Sequence, residues 1–224
     1  MTGFKLDCVL FDLDGTLVDT APDLLACLHE ALAAHAYPTA DEAAVKPLIS
    51  LGALAMIKQA AAHAGEAEQI QLLDFMLDCY QNNIARHSRF FDGMAETLAT
   101  IESLGLKWGV VTNKRERFTQ PLMAALQLDQ RAACVISGDT TGNSKPHPEP
   151  MLAACQHAQV NPENCVYIGD AAHDIAAGKN ANMKTLAAVY GYLKPGDQPE
   201  SWGADALIEH PKQLQQWIQN SLCR

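Results

Sequence analysis

Positive charge is scarce in this chain. Sixteen lysines and arginines stand against 26 aspartates and glutamates, a formal net charge of −10. A protein that grips a nucleic-acid backbone needs clustered cations, so a nucleic-acid partner is not expected. An anionic small molecule remains compatible, because a few local cations or a metal can invert the field in one cleft. Long apolar runs are missing too: none approaches the ~20 residues a membrane helix requires, and no membrane partner is expected. The opening Met1-Thr2-Gly3-Phe4-Lys5 lacks a secretory signal's apolar stretch and cleavage site, so a cytoplasmic location is expected. The seven cysteines are odd in number, scattered and free of any C-x-x-C pair. That pattern predicts reduced, mostly buried thiols, not disulfides or a thiolate metal site.

With 224 residues, 48% of them apolar, there is enough chain for one compact domain plus a smaller insertion. Short apolar runs at residues 5–12 (KLDCVLFD), 108–112, 134–137, 165–169 and 184–189 read as buried strands. Helical patterns at 94–104, 116–126, 149–158 and 174–181 separate them, and Pro211 opens a last helix to about residue 220. Such alternation predicts an α/β fold, a Rossmann-like parallel sheet covered on both faces. Residues 18–90 break the rhythm. They are rich in Ala and Leu, show helical spacing and offer no convincing strand. The expected organisation is therefore an α/β core of residues 1–17 and 91–224, with an inserted α-helical cap at 18–90.

The chemistry should lie beyond the carboxyl ends of the strands. Strand ends here carry Asp12-Leu13-Asp14-Gly15-Thr16, then Thr112-Asn113-Lys114, then Lys145 in the following loop, then Gly169-Asp170-Ala171-Ala172-His173-Asp174. Acids, a cation and hydroxyls converging at one sheet edge suit a metal ion and an oxyanion. Asp12, Asp170 and Asp174 are the hard oxygen ligands that Mg²⁺ prefers. Lys145, the Thr112 hydroxyl and the backbone N–H groups after Asp12 and Thr112, including that of Asn113, would bind phosphate oxygens. Asp12 can attack phosphorus as a nucleophile. Asp14, two residues on, can hand a proton to the leaving alcohol and later take one from water.

Taken in order, Asp-x-Asp-x-Thr, the later Thr and Lys, and Gly-Asp-x-x-x-Asp resemble the haloacid dehalogenase superfamily over nearly the whole chain. The resemblance implies Asp12 as nucleophile and Asp14 as general acid/base. It implies Thr112 and Lys145 at the phosphate, and Mg²⁺ held by Asp12, Asp170 and the Asp14 backbone carbonyl. Asp174 would support the metal through its waters or through Lys145. Within the superfamily, Val111-Thr112-Asn113-Lys114, the segment KPHPEP at 145–150 and Gly191-Tyr192 are similar to phosphoglycolate phosphatases. ISLGALAMI at 49–57 and WGADALIEHP at 202–211 are similar to N-acetylmuramate 6-phosphate phosphatases. The core motifs put phosphoglycolate first. In either case a small phosphorylated metabolite is the expected partner of a monomer or homodimer.

Other activities of the same fold leave different marks. A dehalogenase has no need of Asp14. A phosphonatase wants a cap lysine, for which only Lys46 and Lys58 are candidates. A sugar phosphomutase stays open, and a silent binding module would have lost Asp12 or Asp14. His173 lies inside the fourth motif and His147 sits between two prolines. Both read more readily as incidental loop histidines, and Asp19 as the tether of a hinge or helix start.

Overall fold

Every side chain of the first strand, Cys8–Phe11 (β1), is fully buried. A strand is covered on both faces only inside a parallel sheet with helices above and below, and its sequence then reads as an unbroken apolar run. Its period of two divides those residues between two cores. Val9 and Phe11 join Leu98, Ile101, Leu122, Leu214 and Ile218 on one face. Cys8 and Leu10 join Met151, Ala154, Tyr167 and Ala177 on the other.

The computed structural model describes residues 4–222. The remaining strands are Val18–Asp19 (β2), Arg89–Phe90 (β3), Lys107–Val111 (β4), Val135–Ile136 (β5), Cys165–Gly169 (β6), Lys184–Ala188 (β7) and Ala206–Ile208 (β8). Six of them form a parallel sheet in the order β5-β4-β1-β6-β7-β8. The helices are Ala21–Ala34 (α1), Glu42–Val45 (α2), Ala53–Ala60 (α3), Glu66–Asn82 (α4), Met94–Ser103 (α5), Glu116–Ala125 (α6), Glu149–Ala158 (α7), Ala172–Asn180 (α8) and Pro211–Leu222 (α9). None is long and apolar enough to cross a membrane. The α/β class and the five strands read from the sequence hold. The cysteines among the described residues are free thiols, and all but the half-buried Cys79 are buried.

Helices α1–α4 gather around an apolar cluster of their own, with Leu24, Leu28 and Leu32 of α1 against Leu72, Met76 and Tyr80 of α4. The chain enters and leaves this unit through two very short antiparallel strands, β2 and β3, with Val18 opposite Phe90 and Asp19 opposite Arg89. Here the structure departs from the strandless reading of residues 18–90. Two residues are too few to show an alternating pattern, and their pairing joins positions some 70 apart in sequence. Strand β8 was illegible for the same reason. Asp23 locks the two crossings together: buried on α1, it accepts the His87 N–H at 2.8 Å, the Ser88 N–H at 2.9 Å and the Ser88 hydroxyl at 2.6 Å.

Candidate active site

From β1 the chain moves outward through β4 to β5, then crosses back to the other side of β1 as β6 and continues to β7 and β8. Where strand order reverses in this way, a crevice opens beyond the carboxyl ends of the strands. Phe11 lies beside Val110 on one flank and Ile168 on the other. Asp12, Thr112 and Asp170 therefore emerge side by side.

Lys145 reaches this crevice from the loop between β5 and α7 and is almost completely buried. Its ammonium lies 2.8 Å from Asp12 Oδ1 and 2.8 Å from Asp174 Oδ1, and donates to the Val111 carbonyl at 3.1 Å and the Tyr167 hydroxyl at 2.9 Å. Burial works against its charge, but Asp12 and Asp174 more than offset that and hold its pKa above the ordinary lysine value. For Asp12, burial dominates and pushes the carboxyl up to about 6 despite the lysine. Asp174 goes the other way: against its burial, the Lys145 charge keeps it below the usual carboxylate range. It also accepts the Ala171 N–H at 3.1 Å and so caps α8.

Asp170 has no cation at salt-bridge distance among the described residues. Its carboxylate accepts the Tyr192 N–H at 2.7 Å and the Ser50 hydroxyl at 3.0 Å. Burial, and then the charges of Asp12 and Asp174, raise it well above its ordinary pKa. One oxygen from each of Asp12, Asp170 and Asp174 lies within 4.8 Å of the others. Three buried carboxylates sharing one ammonium leave negative charge uncompensated, and all the donors are hard oxygens. The donor set fits a small divalent cation. Glycine is required around it: a Cβ on Gly15 (φ +80°) or on Gly191 would strike the Asp170 side chain.

Asp14 is held apart from that cluster. It accepts the Thr20 hydroxyl at 2.6 Å and the Lys114 ammonium at 3.0 Å. That ammonium also sits 4.5 Å from the centre of the Tyr80 ring, contributed by α4. Thr112 Oγ1 accepts the Lys114 N–H at 3.2 Å, so its own proton is left to donate elsewhere. The Asn113 side chain faces away from this role: its Oδ1 accepts the Lys145 N–H at 3.0 Å and its Nδ2 donates to the Lys145 carbonyl at 3.2 Å. Only the backbone of Asn113 is left for an anion, while its side chain fixes the loop that carries Lys145.

A cleft of about 580 Å³ lies over these groups, with Asp12, Asp14, Thr112 and Lys145 in its floor. Every residue from Ile49 to Leu54 lines it. His173 lines it as well, with burial lowering its pKa, whereas His147 is exposed and lies outside it. Neither Lys46 nor Lys58 reaches it. Asp19 lies in β2, ahead of α1, accepting the Ala21 N–H at 3.3 Å and the Tyr192 hydroxyl at 2.6 Å.

Three participants were missed from sequence. Tyr167 was legible in principle, since a tyrosine inside a buried strand must find a partner for its hydroxyl. Ser50 and Thr20 carried no signal, because each acts across a contact that only the tertiary fold creates.

A family model for haloacid dehalogenase-like hydrolases matches residues 9–188. The chain belongs to that family. It is 44% identical over 220 residues to an N-acetylmuramic acid 6-phosphate phosphatase from Pseudomonas putida, covering 98% of this chain and 99% of that one. It is 41% identical over 206 residues to a phosphoglycolate phosphatase from Xanthomonas campestris, covering 92% of this chain and 93% of that one. A crystal structure from Haemophilus somnus, described as a predicted phosphoglycolate phosphatase, superposes with a TM-score of 0.85 at 28% identity, covering 98% of this chain and 100% of that one. Within this hydrolase family the chain is a phosphatase, a phosphoric monoester hydrolase.

Proposed function

We propose that the chain hydrolyses a phosphorylated amino-sugar acid, N-acetylmuramate 6-phosphate, with Mg²⁺ and through a phosphoryl-aspartate on Asp12. The observation that carries the substrate choice is the cleft. Its volume of about 580 Å³ falls in the ~300–1,000 Å³ range of sites that enclose drug-sized ligands. A two-carbon phosphorylated acid would leave most of it filled with water. Leu24, Ile49, Leu51, Leu73 and Leu77 give it an apolar wall that an acetyl group and a sugar ring face can cover. This ordering reverses the one drawn from the core motifs. Those motifs grip the phosphate, which both substrates share. Phosphoglycolate remains the second reading, supported by the 41% identical relative.

The helical unit of residues 18–90 acts as a cap that excludes water from the reaction. Mg²⁺ would be held by Asp12, Asp170 and the Asp14 carbonyl, with Asp174 in support, and when bound supplies positive charge that offsets the phosphate's own. Lys145, the Thr112 hydroxyl and the Asn113 N–H hold phosphate oxygens. The Asp12 carboxylate attacks phosphorus as the bond to the leaving oxygen breaks, and Asp14 gives that oxygen its proton. Asp14 then takes a proton from a water that attacks the phosphoryl group, which frees Asp12 and inorganic phosphate.

The test is the ratio of kcat/KM for the two substrates in Mg²⁺. A tenfold preference, about 1.4 kcal/mol of differential transition-state binding, decides the order. Preference for phosphoglycolate reverses it again, and full activity in EDTA overturns the metal assignment.

A further inference from the structure

Two arginines at the cleft have no part in the phosphate chemistry just described. Arg115 and Arg117 both line the cavity that holds Asp12 and Asp14, and both are exposed toward solvent. The chain carries ten more acids than bases, yet no carboxylate among the described residues lies at salt-bridge distance from either guanidinium. Every other cation of the cleft is engaged, Lys145 with Asp12 and Asp174 and Lys114 with Asp14. Asp74, on α4, is the cleft's other carboxylate and pairs with neither arginine. The Arg117 guanidinium lies 4.5 Å over the Phe118 ring, which fixes its plane at the cavity wall. Tyr80, across the cleft on α4, belongs to the Lys114 ammonium, 4.5 Å from its ring, and not to the arginines.

Two planar cations with no carboxylate partner at the cleft wall describe a subsite for an anion with more than one oxygen. Arginine's fork matches a carboxylate bidentately. The phosphate is already provided for by Lys145 and Thr112. We infer that Arg115 and Arg117 bind a second anionic group of the substrate, a carboxylate, beside the phosphate site. They would thereby select phosphorylated acids over neutral phosphorylated sugars. This inference rests on the phosphatase reading of the cleft and does not depend on which acid is the substrate. It also moves part of the specificity from the helical unit to Arg115 and the first turn of α6, just after β4.

The experiment compares pairs of substrates that differ only in the carboxylate. N-acetylmuramate 6-phosphate is set against the amide of its lactyl carboxyl, and phosphoglycolate against its amide, for wild type, Arg117→Gln, Arg117→Lys and the double variant with Arg115→Gln. Wild type is expected to favour the acid of the pair it turns over. In the double variant KM for that acid should rise by about tenfold or more, the usual scale of a lost charge-assisted hydrogen bond. Turnover of the neutral partner should change by less than about twofold, and Arg117→Lys should recover part of the loss. Equal losses on acid and neutral partner, or no loss on either, overturn the inference. Turnover of phosphoglycolate alone overturns the sugar-acid reading, and the phosphoglycolate pair then still decides the arginines.

Discussion

Ser50 of the helical unit donates its hydroxyl to Asp170 of the sheet, at 3.0 Å to one carboxylate oxygen and 3.2 Å to the other. The helical unit thus touches the one carboxylate of the Asp12, Asp170 and Asp174 cluster that has no cation at salt-bridge distance among the described residues. One hydroxyl therefore ties the helical unit to the carboxylate cluster of the sheet.

Ser50→Ala should weaken that tie without touching the reacting groups. A hydrogen bond to a charged acceptor contributes roughly 1.5–3 kcal/mol when fully enclosed, and less here because Ser50 is half-buried. The expected result is a severalfold rise in KM with kcat within about twofold, read by steady-state kinetics. A collapse of kcat with KM unchanged would show that Ser50 serves the chemical step instead.

Asp170→Asn should separate stability from activity. The wild-type carboxylate is buried without a cation and raised well above its usual pKa by burial and by its acidic neighbours. An amide keeps an acceptor for the Tyr192 N–H while removing the repulsion. In EDTA the variant should melt higher than wild type, by roughly 1–2 kcal/mol of stability. Added Mg²⁺ should raise the wild-type melting temperature and leave the variant's almost unmoved, with activity lost. A variant less stable than wild type in EDTA contradicts the charge-excess account.

The two acids of the first motif should fail differently. Asp12→Asn removes the nucleophile and should give no phosphoenzyme and no turnover. Asp14→Asn cannot pass a proton, so alkyl phosphates should lose about 10²–10⁴-fold. Aryl phosphates with good leaving groups should lose much less in single-turnover phosphorylation. Equal losses on both ester types would remove Asp14 from the role of acid.

Asp23→Ala should destabilise the hinge between core and lid. Three donors, the His87 and Ser88 N–H groups and the Ser88 hydroxyl, would lose their buried acceptor. A cost of about 2–4 kcal/mol is expected in urea unfolding. Asp23→Asn, which keeps an acceptor, should recover part of it. Were Asp23→Ala as stable as wild type, the two crossings would have to be held by β2 and β3 alone.

What the sequence revealed and what it hid divide along a physical line. Asp12, Thr112 and Asp170 were legible because each directly follows an apolar strand, and topology then brings the strand ends together, whereas Lys145 was read from the polar loop after β5. Asn113 was placed at the phosphate by its neighbours, whereas its side chain is spent on the Lys145 backbone, a contact 32 residues away in sequence. The short strands β2, β3 and β8 escaped because two or three residues carry no pattern of period two, whereas β5, equally short, was marked by the apolar run at 134–136. Ser50, Thr20 and Asp23 act through hydrogen bonds between separate segments. A small polar residue in a helix or turn looks the same with or without such a partner. Residue type alone carries no trace of it.

The central position of β1 has a consequence for the order in which the protein is made. Cys8 pairs with Lys107 on one side and with Cys165 on the other. The strand that leads to Asp12 is synthesised before either of its neighbours, and both of those follow only after the whole helical insertion. Helices α1–α4 can bury their apolar faces within a contiguous stretch, apart from Phe118 and Tyr192. Such local contacts form fast, while strand pairing over a hundred residues or more is slow. A growing chain should therefore complete its lid while Asp12 still waits on an unpaired apolar strand. The interval until residue 169 emerges is when this protein is most exposed to aggregation and most dependent on assistance.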